Sequence, residues 1–244
     1  MDAPRRYLEE LRGELGFYPM WMPADRIEVG SFGRLVRGVF RKEGSLSELG
    51  IDFVAKAHES KNSFKKHRGM TFEARANANA QASLVDGALG VTVTADSAYA
   101  WAFGAVGARR VELSDILQVK TAVLAIRRAG LWNDAWLLVS EVYCVDILNV
   151  VIAKSRDAGG EIRAKTTIPH AGDVLLAQDV SCHFDAADVF TVENAKDTTP
   201  LYGVHQVRGV FRRGIEPVRG GRSSPAEPSL ERTMDASMFA EAAG

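Results

Sequence analysis

Cys182 stands beside His183, with Asp185 and Asp188 just beyond, so the first chemistry to weigh is a thiol nucleophile with a base, or a carboxylate pair. The spacing argues against both. Residues 174–184 have the character of a strand, where neighbours point to opposite faces, so Cys182 and His183 cannot share the hydrogen bond that activates a thiol. Asp185 and Asp188 lie in an Asp-Ala-Ala-Asp stretch that suits a solvated or capping turn. His58, His67, His170 and His205 lack metal-ligand spacing. No glycine-rich phosphate loop or paired-cysteine zinc pattern occurs. "GSFG" at 30–33 does not make a nucleophile elbow, and "GAVG" at 104–107 reads as a loop. The sequence therefore predicts no catalytic residues, no metal and no cofactor.

Charge gives a different kind of candidate. Lys61, Lys65, Lys66, His67 and Arg68 are not interrupted by an acid before Thr71, and Arg5, Arg6 and Arg12 lie on the opening helix. Such cations attract anionic lipid headgroups, each contributing on the order of 1 kcal/mol near the surface. Net charge is -1, so bulk nucleic-acid binding is not expected. Two cysteines, Cys144 and Cys182, are too few for a disulfide framework and suit a reducing compartment.

The elements that position these residues can be read from periodicity. Asp2, Pro4 and Gly16 bound a helix with Tyr7, Leu8, Leu11 and Leu15 on one face. Ser45 and Glu48 form a capping box for a short helix closed by Gly50. Leu89, Val91 and Val93, then Tyr99, Trp101 and Phe103, alternate about Asp96-Ser97 as a hairpin. A helix over 112–128 has Leu113, Ile116, Leu117 and Leu124 as its buried stripe. Residues 136–145 read as a central strand, and 150–155 with 161–168 as a hairpin about "RDAGGE". Further strands are expected at 174–184, 189–193 and 201–211. No apolar run reaches the roughly 20 residues of a transmembrane helix, and the charged opening predicts no signal peptide. The expected fold is α+β, a twisted antiparallel β-sheet core with peripheral helices. It occupies residues 1–213, followed by an exposed linker at 214–226 and a short amphipathic element at 227–244. In that element Leu230, Met234, Met238 and Phe239 could plug an apolar patch, while Arg219 and Arg222 of the linker suit a trypsin-like protease.

The order of segments resembles the gasdermin family, in particular its short microbial (bacterial or fungal) members. The likeness lies in "LGFYPMWMPADRIEVGSFGRLV", "VELSDILQVK", "WLLVSEVYCVDILNVVIAKSRDAGGEI" and "TPLYGVHQVRGVF", and covers about residues 4–213. It implies a gasdermin pore-forming-domain-like fold and a cell-death or defence effector that is not an enzyme. Such a protein is cytoplasmic when inactive. Once released, it binds acidic membrane lipids, self-associates into a large oligomer and inserts β-hairpins. An activating protease or a partner chain would trigger it. Unlike bacterial members acylated at an early cysteine, this sequence has none before Cys144. The other two readings are a β-rich protein- or lipid-binding module that never inserts, and an enzyme assembled from unmotifed residues such as Asp185, Asp188 and His183.

Overall fold

The apolar stripe of the opening helix sets the first contact of the chain. The computed structural model describes residues 3–74, 89–165, 170–184, 188–208 and 214–217. Helix α1 (Ala3–Leu15) buries Tyr7, Leu8, Leu11 and Leu15, and Gly16 ends it at a positive φ of 73°. Full burial of each such side chain contributes about 1.5–3 kcal/mol. After β1 (Tyr18–Pro19), strands β2 (Ser31–Val36) and β3 (Val39–Ser45) form a hairpin turning at Arg37-Gly38. Both turn residues have positive φ, matching the twist of the strands. Ser45 and Glu48 exchange backbone-to-side-chain hydrogen bonds around a 3-10 turn, Ser47–Leu49, as the capping box predicts.

Four strands follow before the second helix: β4 (Ala55–Ala57), β5 (Asn62–Arg68), β6 (Met70–Ala74) and β7 (Leu89–Ala95). Then come β8 (Trp101–Leu113), α2 (Ile116–Arg128), β9 (Leu137–Ala153) and β10 (Gly159–Ala164). A 3-10 helix (Ala171–Leu176) precedes β11 (Val180–Phe184), β12 (Val189–Arg208) and β13 (Gly214–Pro217). All strand pairings among the described residues are antiparallel. Among the described residues, nine strands form one sheet around β9, which pairs with β12 on one side and with β8 and β2 on the other. A second sheet has the order β11-β10-β7-β6. This is the expected α+β class, with antiparallel sheet at the centre and helices outside.

Three apolar clusters hold the layers. Under α2, Val119 and Val123 meet Phe32, Trp132, Leu138 and Tyr202. Beneath α1 lie Trp101, Phe103, Leu148 and Ile152. Between the second sheet and β8–β9 lie Val91, Val93, Ile162, Val174 and Leu175.

Several local expectations are revised. Residues 89–95 and 101–113 are not a hairpin: β7 pairs with β6 and β10, and β8 with β4, β5 and β9. The turn between them passes the chain from one sheet to the other. The same holds for β9 and β10 around "RDAGGE". The second helix begins at Ile116, because Glu112 and Leu113 still pair with β9 and β4. Leu117 is 74% exposed, and the buried positions are Val119 and Val123. Residues 174–184 divide between the 3-10 helix and β11. The two strands expected at 189–193 and 201–211 are one, β12, with register shifts between Val192 and Ala195, where Asn194 takes positive φ, between Thr198 and Leu201, and between Gly203 and Val204; residues 209–211 lie outside the described residues. Gly104 lies inside β8, not in a loop; the Leu175 carbonyl occupies the place a side chain would need. Gly214–Pro217, at the front of the stretch read as linker, pairs with β12.

Candidate functional site: jointed strands and their charged ties

Each long ladder of the protein continues from one sheet into the other. β5 runs into β6 through Gly69, and β7 into β8 through residues 96–100, so the β5–β8 ladder is prolonged by the β6–β7 ladder. The second pair is built alike: the β9–β12 ladder is prolonged by the β10–β11 ladder. β7 and β10 join the two pairs side by side. The joints are marked by left-handed residues, Gly69 (φ 64°), Tyr99 (φ 64°) and Asp157 (φ 62°). For bulky Tyr99 this conformation costs on the order of 1–3 kcal/mol, which the surrounding packing must offset.

Beyond the joints the strands have two distinct faces. Phe72, Val93, Gly160 and Phe184 form one row across the second sheet, and Ala74, Val91, Ile162 and Cys182 another. These rows lie against the apolar cluster. The intervening row is Glu73, Thr92, Glu161 and His183. Such alternation arises when polar and apolar residues follow a period of two.

The basic strand β5 is tied down along its length. Lys61 Nζ lies 2.8 Å from Asp146 Oδ2 of β9, and Lys65 pairs with Asp173 of the 3-10 helix. Arg68 is 3.7 Å from Glu10 of α1, whose other carboxylate contacts are Arg6 Nε and the Trp101 indole N–H, each at 2.8 Å. Burial works against the charge of Glu10, but the hydrogen bonds from Arg6 and Trp101, with Arg68 nearby, outweigh it and hold its carboxyl below the usual range. Arg12 lies over the Tyr18 ring, 3.8 Å from its centre, and donates to its hydroxyl at 2.5 Å. Lys66 has no carboxylate partner among the described residues. The side chain of Arg5, together with Arg219, Arg222, Leu230, Met234, Met238 and Phe239, lies outside the described residues.

A second set of cations was not singled out by the sequence reading. Arg34, Arg37, Arg41 and Lys42 are exposed on the β2–β3 hairpin, with Arg34 directly opposite Arg41. Arg34 pairs with Glu43, while Arg37, Arg41 and Lys42 have no carboxylate partner among the described residues. Val36, 49% exposed, sits beside them at the tip. The signal was an Arg-Gly turn flanked by alternating cations and aliphatics, "RLVRGVFRKEG".

The 3-10 helix is also fixed. Buried Asn149 of β9 donates to the carbonyls of Leu175 (2.9 Å) and Ala177 (3.2 Å) and accepts from the Asn194 amide (2.8 Å). Glu112 and Glu141 face each other across β8 and β9, bridged by Arg110 at 2.6 and 2.8 Å. Burial, with Glu112 adding to it against Arg110, raises the Glu141 carboxyl above its ordinary value.

The residues first weighed for catalysis are placed apart. Burial, then the Glu193 carboxylate, pushes the Cys182 thiol up to about 12, and the His183 ring lies 2.9 Å from the Cys182 carbonyl rather than its sulfur. Asp188 is exposed, its carbonyl accepting from Lys154 N, and Asp185 lies outside the described residues. His58 pairs with Glu112, His205 with Ser140, and His170 caps the 3-10 helix. Among the described residues, no group of three or more His, Cys, Asp or Glu side chains could hold a metal ion. No described helix is long and apolar enough to cross a membrane.

No family model matches the sequence, and no curated protein matches it. A solved structure, described as the cryo-EM structure of the Gasdermin A3 membrane pore, aligns with 87% of this chain and 93% of its own at 10% identity, with a TM-score of 0.34.

Proposed function

We propose that this protein is a membrane pore-forming effector of the short microbial gasdermin kind, which binds acidic lipids, self-associates and inserts its two jointed strand pairs. The observation that carries the reading is the continuity of each ladder across the joints. Straightened at Gly69, Tyr99 and Asp157, the paired strands become antiparallel ribbons longer than the roughly 9–11 residues a tilted membrane strand needs. The row of Phe72, Val93 and Phe184 would face lipid and that of Glu73, Thr92, Glu161 and His183 the lumen. Closure of many such ribbons into a barrel gives every backbone polar group a partner.

Arg37, Arg41 and Lys42, exposed on the β2–β3 hairpin, and Lys66 of β5 are the first cations to meet acidic headgroups. Arg6, Arg12, Lys61, Lys65 and Arg68 join them once their ties are released, together with Arg5 of the same helix. In this reading the linker is the part of 214–226 that follows β13, Arg219 and Arg222 are its cleavage points, and 227–244 is the plug; a partner chain is the other trigger.

Dye release from cardiolipin or phosphatidylserine vesicles, with and without limited trypsin, tests the proposal. Leakage from anionic but not phosphatidylcholine vesicles is expected. Binding without leakage under every activation condition would replace it with a lipid-binding module. Charge reversal of Arg37, Arg41 and Lys42 together should weaken vesicle binding at least about tenfold, since each cation contributes on the order of 1 kcal/mol. Deletion of residues 230–244 should speed leakage if that segment is the plug.

A further inference from the structure

We infer that α1 is a latch on the joint between β7 and β8, closed by Glu10 and released before the joint can straighten. This deepens the pore-forming reading and rests on it for its consequence in membranes. The contact itself is a property of the resting fold.

Three contacts place α1 on the joint. Arg6 Nη1 donates to the carbonyl of Ala98, in the turn itself, at 3.2 Å. Glu10 accepts the indole N–H of Trp101, the first residue of β8, at 2.8 Å. Tyr7 stands edge-on to the same indole, with ring centres 5.9 Å apart. Residues 6, 7 and 10 share one side of the helix, so a single turn of α1 grips both the turn and the strand after it.

The site is a demanding one for a carboxylate. Trp101 is fully buried, and its N–H needs an acceptor, which among the described residues is Glu10 of α1. Glu10 also receives Arg6 at 2.8 Å and faces Arg68 at 3.7 Å, on the last residue of β5 before Gly69. The one carboxylate therefore ties α1 to both strands of the first ladder at the point where both bend. Between Ala98 and Trp101 lies Tyr99, held in its left-handed conformation with its ring packed in the α1 cluster. The latch thus sits over the residue with most to gain from an extended backbone.

The test compares Glu10→Gln and Trp101→Phe with the parent by amide hydrogen exchange and by vesicle leakage. Glu10→Gln keeps the shape and loses the charge; Trp101→Phe stays aromatic but loses the N–H together with part of the indole's volume. Either substitution should speed exchange in peptides covering 95–101 by about tenfold, the loss expected when a charge-assisted hydrogen bond is removed. Exchange across Val119 and Val123 in α2 should stay unchanged, which separates latch release from unfolding. Leakage from cardiolipin vesicles should begin sooner. If one variant fails to fold, the other carries the test. Unchanged exchange at 95–101 in the folded variants overturns the latch. Faster exchange with no leakage in any chain supports the latch and overturns the pore-forming reading.

Discussion

The region beneath α2 and the arm beyond the joints bury their surfaces with different side chains. Beneath α2 the contacts are large and aromatic: Phe32 lies 5.2 Å from Trp132 and 4.4 Å from Trp136, and Phe40 lies 5.5 Å from Tyr202. Beyond the joints much of the cluster is alanine, with Ala95, Ala100, Ala102, Ala153, Ala158, Ala164 and Ala177 among its buried members. Each alanine buries little apolar area, and the arm leans instead on directional ties: Asn149 to the 3-10 helix, Lys65 to Asp173, Glu10 to Trp101. A body held by packing keeps its shape under many small changes. An arm held by a few polar contacts can be released by losing them. The division is the one expected of a scaffold carrying a switch.

The contrast can be broken first from the packed side. Phe32→Ala should lower unfolding free energy by about 3–5 kcal/mol in urea, with all probes shifting together, because the body is the cooperative core. If that change loosened only the arm, the two regions would have to be exchanged in this account. Asn149→Ala comes next: it leaves two buried carbonyls and an amide short of a partner and should cost about 1–3 kcal/mol. Here the loss should show as faster hydrogen exchange over 171–184 while α2 stays protected.

A pH series sharpens the comparison further. The Glu10 carboxyl is depressed in the fold, so the stability it confers is present above its unfolded value near 4.5 and is lost as pH falls through the lower folded value. The difference in stability between the parent and Glu10→Gln should therefore shrink on acidification below about 4.5. A difference constant with pH would remove the carboxylate charge from the explanation. The smallest effect belongs to Lys61→Ala, whose partner Asp146 is about as exposed as Lys61 itself; a change of roughly 0.2–1 kcal/mol is expected.

What could be read beforehand follows the same line. The stripe of Tyr7, Leu8, Leu11 and Leu15 and the Ser45–Glu48 box depend on neighbours within a few residues, and both were legible. The joints were not. A turn signal such as Asp96-Ser97 says that the chain bends, but not whether the next strand folds back on the last or crosses to another sheet. That choice is made by partners far along the chain, as when Arg163 of β10 takes its place beside Gly90 of β7. The basic cluster was legible as a cluster, yet its partners Glu10, Asp146 and Asp173 come from three other elements. The buried stripe of α2 is not legible because Leu117 and Val119 are both apolar, and only the position of Phe32, Trp132, Leu138 and Tyr202 decides which one faces inward. Arg34, Arg37, Arg41 and Lys42 form no run of like charge in the sequence, because aliphatic and aromatic residues separate them and only the hairpin gathers them.

Tyr99 gives the resting fold a direction in time. A left-handed tyrosine relaxes when the backbone around it extends, so that local step runs downhill on opening and uphill on closing. Once the neighbouring strands have extended, this residue resists the return. In the proposed opening that local preference would favour the extended joint by about 1–3 kcal/mol, against the contacts of α1 that hold the bend. Tyr99→Gly would remove this bias and leave those contacts alone to set the balance.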